Sequence, residues 1–345
     1  MIKMKSMKHI LRSISLLPVA AALLAVSCDK VSSEGTNVAL KRQFDAWRAI
    51  HYPDAVEKDG IYIIDEKPGD GLEWLESLPV TFYTYTARNL DGSVIANSDE
   101  QWAKQLGTWD HSYYYGPRVL LTGEGFSYAG EDILLEGMKQ GGTRTAIVPA
   151  WMFTKYRYGT PAEYLDHEIE SQVTSLIYTV TLLGQTPNLA EYEFDMLRRY
   201  AESNWQVTDT LSTAAVFFKS FTEFEGEPAE MPNDTTVYVN YIGRRVSDGV
   251  VFDTNIADTA KFYHIYDPSR NYAPSSIKWA EKVEDMAKNN DVVSGYAYGL
   301  KQMHAGEKAS FAFGYDLGYK STGKDFNLLP PYTPLRFDVE MVPKP

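Results

Sequence analysis

Phe252 and Asp253 place an aromatic ring beside a carboxylate at the end of the sequence VSDGVVFDTN, residues 246–255. The pair sets an apolar surface next to a hydrogen-bond acceptor, which is chemistry for binding and orienting a ligand. A similar sequence, LDGSVIANS at residues 90–98, ends with Ile95 and Ala96 instead. The chain therefore carries two related segments, and only the second has the ring and the carboxylate.

The other groups capable of chemistry do not form metal or catalytic sets. The six histidines show no metal-ligand spacing, and HEIE at 167–170 lacks the second histidine of a zinc-binding helix. The sequence GEGFSYAG at 123–130 lacks the lysine and the serine or threonine of a phosphate-binding loop. One cysteine allows no disulfide framework and no cysteine-based metal site. We expect no metal and no cofactor.

Two Asp-Gly hairpins organise the predicted elements, one at Asp91-Gly92 and one at Asp248-Gly249. Each follows a run that alternates aromatic or branched residues with polar ones, VTFYTYTAR at 80–88 and TVYVNYIGRR at 236–245, which is typical of a half-buried antiparallel strand. Further strands are predicted at 60–65, 175–183, 214–220 and 334–342, and amphipathic helices at 39–50 and 189–203. Strands dominate, so the fold class is α+β, built twice.

A long-period repeat supports this duplication. EGMKQGG at 136–142 is matched by YGLKQMHAG at 298–306, and SLIYTVTLL at 175–183 is matched by PLRFDVEMV at 334–342. The chain length also favours two domains over one. The predicted division is a leader at 1–27, a tether at 28–38, a first domain at 39–185 and a second domain at 186–345.

The second copy carries a succession of motifs that resembles the FKBP-type peptidyl-prolyl isomerases. In order the motifs are VNYIG, DGVVFD, AKFYH, VVSGYAYGLKQM, AGEKASFAF, LGY and LLPPYTPLRFDVEMV, between residues 239 and 342. Each motif alone is weak evidence, but their order matches that of the family. The resemblance implies a curved antiparallel sheet wrapped around a short helix, with an apolar pocket between them.

The resemblance also implies the residues of the site. Those expected to act in catalysis are Tyr241, Phe252, Asp253, Tyr319 and Phe337. Those expected to line the substrate pocket are Phe262, Val292, Val293, Tyr296 and Leu329, the last on a flap with Pro330 and Pro331. An X–Pro bond rotates without any bond being made or cut, so the family's reaction needs no nucleophile, metal or proton relay. Asp253 is expected to order the Tyr241 hydroxyl rather than to act as a general base.

Two departures from the family pattern lie in the second copy. Tyr296 stands where the family has a tryptophan, and an insertion separates Tyr266 from Asp291, with a helix expected at 277–288. An alternative interpretation is that the aromatic residues only form the core of a small barrel-like sheet. The first copy departs further, because Ile95-Ala96 replaces Phe-Asp, Glu131 occupies the tryptophan position and residues 161–172 replace the flap. We expect the first copy to keep the fold and to lack catalysis.

The N-terminus resembles the signal of a bacterial lipoprotein. A basic leader precedes an apolar run from Ile14 to Val26, and the run ends at LLAVSC with Cys28 as the lipidated residue. Ala25 stands where leucine is usual, and an ordinary secretory signal with a chance cysteine is the alternative. The expected location is the cell envelope, membrane-anchored through the lipid and facing either the periplasm or the surface.

The formal net charge of -13 argues against a nucleic-acid partner, because phosphates repel such an acidic surface. The expected function is peptidyl-prolyl isomerisation of proline-containing polypeptides, assisting protein folding outside the cytoplasm. The alternative is a non-catalytic FKBP-like binding or chaperone lipoprotein. A weaker third hypothesis, a carbohydrate-binding surface lipoprotein, rests only on the aromatic content.

Overall fold

The structure is a computed structural model, and it describes residues 36–123, 125–167, 174–207, 215–228, 231–324 and 328–345. The predicted leader and Cys28 lie outside the described residues. The first helix begins at Thr36, so residues 36–38 of the predicted tether are helical. No helix among the described residues is long and apolar enough to cross a membrane.

The chain forms two antiparallel sheets, and we name the parts that carry them the N-terminal lobe (residues 36–186) and the C-terminal lobe (residues 189–342). The elements of the N-terminal lobe are α1 (Thr36–His51), β1 (Val56–Lys58), β2 (Ile61–Lys67), β3 (Val80–Asn89), β4 (Val94–Asn97), α2 (Glu100–Leu106), β5 (Arg118–Leu121), α3 (Ala129–Leu135), β6 (Thr143–Val148) and β7 (Leu176–Thr186). Those of the C-terminal lobe are α4 (Leu189–Trp205), β8 (Val216–Ser220), β9 (Thr236–Arg245), β10 (Val251–Thr254), α5 (Ala257–Phe262), β11 (Ser275–Lys278), α6 (Val283–Asn290), α7 (Ser294–Lys301), β12 (Lys308–Phe313) and β13 (Leu335–Val342).

The two sheets share one strand order. The order is β1-β2-β6-β7-β3-β4 in the first sheet and β10-β9-β13-β12-β8 in the second. Read in reverse, the second order becomes β8-β12-β13-β9-β10, whose strands correspond in turn to β2, β6, β7, β3 and β4; β1 has no counterpart in that order. An additional strand pairs with the long central strand in each sheet, β5 with β3 and β11 with β9. The predicted α+β class is confirmed, and the element order repeats as the sequence indicated.

Hairpin chemistry sets the local geometry of each sheet. Gly92 has φ +87° and Gly249 has φ +71°, conformations that favour glycine. The carboxylate of Asp91 accepts from the backbone N–H of Ser93, and that of Asp248 accepts from the N–H of Val250. Each hairpin also contains a β-bulge. The register shifts between Ala87 and Arg88 in the β3–β4 ladder, and between Val251 and Asp253 in the β9–β10 ladder.

Helices α7 and α4 cover opposite faces of strand β12. Gly295 and Gly299 of α7 lie so close to the rings of Phe313 and Phe311 that an added Cβ would come within 2.3 Å of each ring. Ala312, whose side chain points the other way, belongs to a cluster formed with α4. The core of the lobe therefore lies between α7 and the sheet.

The insertion differs from its predicted structure. A helix was expected at 277–288, but Ile277 belongs to β11, which pairs with β9, and α6 begins only at Val283. Ile277 is 4% exposed in the lobe core. Residues 275–278 adopt a strand because their backbone groups pair with the otherwise unpaired edge of β9.

A buried arginine joins the two lobes. The Arg245 side chain is 0% exposed and forms an ion pair with Asp248 at 2.8 Å. It donates to the carbonyl of Leu328 in its own lobe and, at 3.2 Å, to the carbonyl of Ser112 in the N-terminal lobe. Its guanidinium also lies 5.2 Å from the ring centroid of Tyr114. The loop around Ser112 is therefore fixed against the C-terminal lobe.

Candidate functional site

Phe337 is the centre of an aromatic cluster on the inner face of the C-terminal sheet. It lies on β13, opposite Gly243 of β9 and Phe311 of β12, and it is 6% exposed. Five rings have centroids within 6.3 Å of its own, and they belong to Tyr296 (4.8 Å), Phe252 (5.7 Å), Phe313 (6.0 Å), Phe311 (6.2 Å) and Tyr241 (6.3 Å). The cluster forms a buried apolar floor.

Gly243 makes room for this cluster. A Cβ at that position would lie 2.7 Å from Cζ of Phe252 and 3.0 Å from Cε1 of Phe337. Such distances are shorter than van der Waals contact, so any side chain would force the two rings apart. The strand therefore needs glycine where the two rings meet edge to face.

The bulge in β10 brings Phe252 and Asp253 to the site together. Val251 pairs with Arg244 and Asp253 pairs with Gly243, so Phe252 is the extra residue of the bulge. A bulge locally disrupts the alternation of a strand and re-aims a side chain. Phe252 is consequently 8% exposed in the aromatic floor, while the neighbouring Asp253 reaches the rim.

Asp253, Tyr241 and Arg270 form a closed polar triangle at the rim. The Tyr241 hydroxyl donates to Oδ2 of Asp253 at 2.9 Å, and Arg270 donates to Oδ1 of Asp253 at 2.5 Å and to the Tyr241 hydroxyl at 2.9 Å. Burial, and then the negative charge of Asp253, raise the pKa of Tyr241 well above its ordinary value. The phenol therefore stays protonated and fixed in one orientation.

Asn255 fixes the backbone that carries Tyr241. Its Oδ1 accepts from the N–H of Tyr241 at 2.9 Å, and its side-chain amide donates to the carbonyl of Val239 at 2.8 Å. The residue is 4% exposed, so these hydrogen bonds are shielded from water. Asn255 thus joins the end of β10 to β9 beside the site.

The remaining predicted site residues divide into rim, floor and periphery. Val292, Val293 and Tyr319 are half-buried and pack against the same core, Val293 as the N-cap residue of α7. Tyr296 is 5% exposed beneath Phe337, and burial raises its pKa. Phe262 is not brought into the cluster, because it is 74% exposed and its ring contacts Tyr263.

The flap also differs from its expected placement. Leu329 is 0% exposed within the core, so it supports the flap from beneath. Pro330 and Pro331 line a cavity that faces the N-terminal lobe. The roles of Phe262 and Leu329 as substrate contacts stay predictions.

Arg270 and Asn255 are the members of the site that the sequence analysis did not identify. Arg270 lies 17 residues beyond Asp253, inside the insertion, where no periodic pattern indicates which way its side chain points. The sequence shows only that an arginine follows Asp253 in an acidic chain. Other arginines share this feature, so it does not single out Arg270. Asn255 follows directly after Phe252-Asp253-Thr254, and polar residues at strand ends often bond to the backbone.

The arrangement suits binding and orienting a ligand rather than bond cleavage. Both oxygens of Asp253 are engaged by Tyr241 and Arg270, so neither is directed at an activated nucleophile. Within the described part of the chain, no group of three or more His, Cys, Asp or Glu residues could hold a metal ion. What the site offers is a dry aromatic floor, half-buried apolar walls and a rigid polar rim.

The N-terminal lobe has different side chains at the matching positions. Tyr178 pairs with Ala87 and Ala146, as Phe337 pairs with Gly243 and Phe311. Ile95 is the bulge residue in place of Phe252, and Ala96 pairs where Asp253 does. Tyr85 matches Tyr241, but its hydroxyl contacts that of Tyr113 at 3.4 Å and the side chain of Arg118, and Ala96 supplies no carboxylate where Asp253 does. This lobe therefore lacks the polar triangle.

Comparison with known proteins finds similarity within the C-terminal lobe. Residues 227–342 match the family described as FKBP-type peptidyl-prolyl cis-trans isomerase. The macrophage infectivity potentiator of Trypanosoma cruzi is 40% identical over 109 residues, which are 32% of this chain and 43% of that protein. The chain thus spans less than half the length of this relative.

Solved structures are also similar in part. The structure of the three FKBP domains of wheat FKBP73 has 20% identity and a TM-score of 0.29, and the match covers 82% of this chain and 94% of that chain. FkpA from Escherichia coli has 24% identity and a TM-score of 0.31, with 45% of this chain and 58% of that chain covered.

Proposed function

We propose that the C-terminal lobe is a peptidyl-prolyl cis-trans isomerase that assists protein folding outside the cytoplasm. The observation that carries the proposal is the aromatic floor around Phe337, bordered by the triangle of Asp253, Tyr241 and Arg270. The family match of residues 227–342 supports it. The two lobes would be the two domains, divided near residue 186, with catalysis in the second.

The reaction needs little more than such a site. Rotation about an X–Pro bond passes through a twisted amide that has lost resonance and is less polar than the planar amide. A dry aromatic floor that grips the proline ring would favour this twisted form over the hydrated ground state. Phe337, Phe252 and Tyr296 would supply the floor, with Tyr319, Val292 and Val293 as walls.

The polar triangle would position the substrate without transferring a proton. Arg270 and Asp253 hold the Tyr241 hydroxyl from two sides, so the rim keeps its shape when a peptide enters. A group held in this way costs no reorganisation during the reaction. Arg270 would therefore be a positioning residue, supplied by the insertion.

The N-terminus would place this activity at a membrane. We propose that residues 1–27 are removed and that Cys28 is lipidated, which would anchor the chain in the cell envelope. The proline-containing polypeptides of that compartment would be the substrates. A Cys28→Ser variant should move from the membrane fraction to the soluble fraction, and unchanged membrane association would contradict the anchor.

A second candidate is a binding module without catalysis. It is favoured by one observation, that Arg270 of the chain itself occupies the polar edge of the site. If Arg270 keeps a peptide from reaching Asp253 and Tyr241, the lobe would bind protein partners without accelerating rotation about the X–Pro bond.

NMR exchange spectroscopy on short X–Pro peptides separates the two candidates. The mature protein should accelerate cis–trans exchange, and Phe252→Ala should abolish the acceleration while the matched variant Ile95→Ala retains it. Urea unfolding checks that both variants fold. No acceleration for any residue before proline would exclude the isomerase and leave the binding module.

A further inference from the structure

A cavity of about 790 Å³ lies between the two lobes, over the N-terminal counterpart of the aromatic site. Ile95, Ala96 and Glu131 line it at the positions that Phe252, Asp253 and Tyr296 hold in the other lobe. The C-terminal lobe closes one side with Pro330 and Pro331. The N-terminal lobe thus has an open site where its counterpart has a filled aromatic floor.

The wall of this cavity around Glu131 presents tyrosine rings beside the carboxyl group, and Glu193 and Asp248 line it elsewhere. Tyr83, Tyr85, Tyr128 and Tyr178 line it around Glu131. The ring centroids of Tyr83 and Tyr85 are 6.0 Å apart, and those of Tyr85 and Tyr178 are 6.5 Å apart. The faces of such rings attract cations, and a carboxylate adds a full opposite charge.

Glu131 has no cationic partner within ion-pair distance among the described residues, whereas the adjacent Asp132 pairs with Arg157. Burial, and then the charge of Asp132, raise the pKa of the Glu131 carboxyl to about 7. A hydrogen bond with the backbone of Tyr128 opposes this rise, as do the positive charges of Arg157 and Lys155. Tyr128 is the N-cap residue of α3 and Glu131 is the third residue of the helix. The hydrogen bond between them is therefore of the capping-box type, and Glu131 helps to cap α3. An incoming cation would form the first direct ion pair with this carboxyl group among the described residues.

Arg118 shows that tyrosine faces already hold a cation at another wall of the same cavity. It is 6% exposed, and its guanidinium lies 5.9 Å from the ring centroid of Tyr85 and 5.3 Å from that of Tyr114. The rings around Glu131 offer the same chemistry with a carboxyl group in addition.

We propose that this cavity binds a lysine or arginine side chain of an extended polypeptide, with the cation held between Glu131 and the tyrosine faces. The volume exceeds what one side chain fills, so neighbouring residues of the polypeptide would lie against the proline wall. The net charge of -13 would attract basic segments. This site does not depend on isomerase activity.

The test uses a blocked eight-residue peptide without proline, carrying a single lysine among apolar and neutral residues, and a matched peptide with norleucine in place of lysine. Fluorescence anisotropy at low salt should show the lysine peptide binding about tenfold more tightly. Glu131→Gln should lower its affinity about fivefold, toward that of the norleucine peptide, because the tyrosine faces still attract the cation. Glu202→Gln removes an equal charge from the exposed side of α4 and should change neither affinity.

A second variant guards against a folding defect. Tyr83→Leu keeps an apolar side chain in the wall and should weaken the lysine peptide but not the norleucine peptide. Equal binding of the two peptides, no binding at millimolar concentration, or unchanged affinity in Glu131→Gln would each overturn the proposal. Equally tight binding of N-acetyl-lysine amide would overturn the polypeptide as occupant.

The affinity should also depend on pH. A bound cation favours the ionised carboxylate, so affinity for the lysine peptide should rise between pH 6 and pH 8 and stay flat in Glu131→Gln. The charged and titratable groups that act on Glu131 or share its cavity are Asp132, Lys155, Arg157, Arg118, Glu193, Asp248 and the tyrosines Tyr83, Tyr85, Tyr114, Tyr115, Tyr128, Tyr178, Tyr192 and Tyr332. An unchanged slope in Glu131→Gln would assign the titration to another of these groups and overturn the role of Glu131.

Discussion

Phe337 of the C-terminal lobe and Tyr178 of the N-terminal lobe occupy the same register position in two sheets of the same strand order. Phe337 is covered by five aromatic rings and is 6% exposed. Tyr178 is half-buried and lines an open cavity beside Glu131. The backbone is thus repeated, while the side chains make one site dry and aromatic and the other open and acidic.

The difference separates what holds this fold from what gives it a function. A helical glycine lies against the sheet in both lobes, Gly130 beside Val148 and Gly295 beside Phe313. This close approach serves the fold, because it is common to both lobes. The aromatic floor and the triangle of Asp253, Tyr241 and Arg270 occur in one lobe, so they are the features we connect with the proposed catalysis.

Truncating the central ring should give the largest difference between the lobes. Phe337→Ala should lower the free energy of unfolding by about 3–5 kcal/mol and abolish isomerase activity, because it empties the middle of the core. Tyr178→Ala should cost only about 1–2 kcal/mol, since its ring already faces a cavity, and should keep the activity. Urea unfolding and NMR exchange measure both effects, and equal costs would contradict the contrast.

Glycine at position 243 should matter more than alanine at its counterpart, position 87. Gly243→Ala places a Cβ 2.7 Å from Phe252, and should destabilise the protein by about 1–3 kcal/mol. Ala87→Gly should cost about 0.5–1 kcal/mol, mainly through backbone entropy. Thermal unfolding of the two variants gives the comparison. A Gly243→Ala variant as stable as wild type would show that the rings can move apart freely.

The ion pair of the polar rim should contribute a smaller amount. The side chains of Arg270 and Asp253 are 37% and 24% exposed, so solvent screens their attraction. A double-mutant cycle of Arg270→Gln and Asp253→Asn should give a coupling of about 1 kcal/mol in stability. The same variants should lower kcat/KM more than they lower stability, because the rim would position the peptide. Loss of stability without loss of activity would make the pair merely structural.

The smallest effect concerns the pH dependence of stability. The pKa of Glu131 is about 7 in the folded protein and lower when unfolded, so the folded state binds the extra proton. Its stabilising effect is therefore complete below the unfolded pKa and is lost as pH rises through about 7. Glu131→Gln should remove this loss, which is less than about 1 kcal/mol because Glu131 is half-buried and water in the cavity screens part of its charge. Parallel pH profiles of wild type and Glu131→Gln would contradict the shift.

The sequence predicts the regular elements well because their signals are local. Alternation places β9 at Thr236–Arg245, and the Asp-Gly dipeptides locate both hairpins. The insertion is less predictable, since β11 forms only by pairing with a distant edge of β9. Arg270 was missed for the same reason, because its contact with Asp253 depends on how the insertion folds back.

The cavity between the lobes also could not be predicted, because it depends on how two repeated units meet. The sequence places Glu131 at a position where the resembling family has an aromatic residue, but it does not indicate that Pro330 and Pro331 of the other lobe line the same cavity. The docking rests on Arg245, whose partners Ser112 and Leu328 are far apart in the chain. Nothing in the local sequence pattern pairs such residues.

The most direct test of the account compares one hydroxyl group in each lobe. Tyr241→Phe removes the hydroxyl held by Asp253 and Arg270. Tyr85→Phe removes its counterpart, which is held by Tyr113 and Arg118. We predict that kcat/KM for X–Pro exchange, followed by NMR, falls about tenfold in Tyr241→Phe and stays unchanged in Tyr85→Phe. An equal loss in both variants, or a loss only in Tyr85→Phe, would contradict catalysis in the C-terminal lobe.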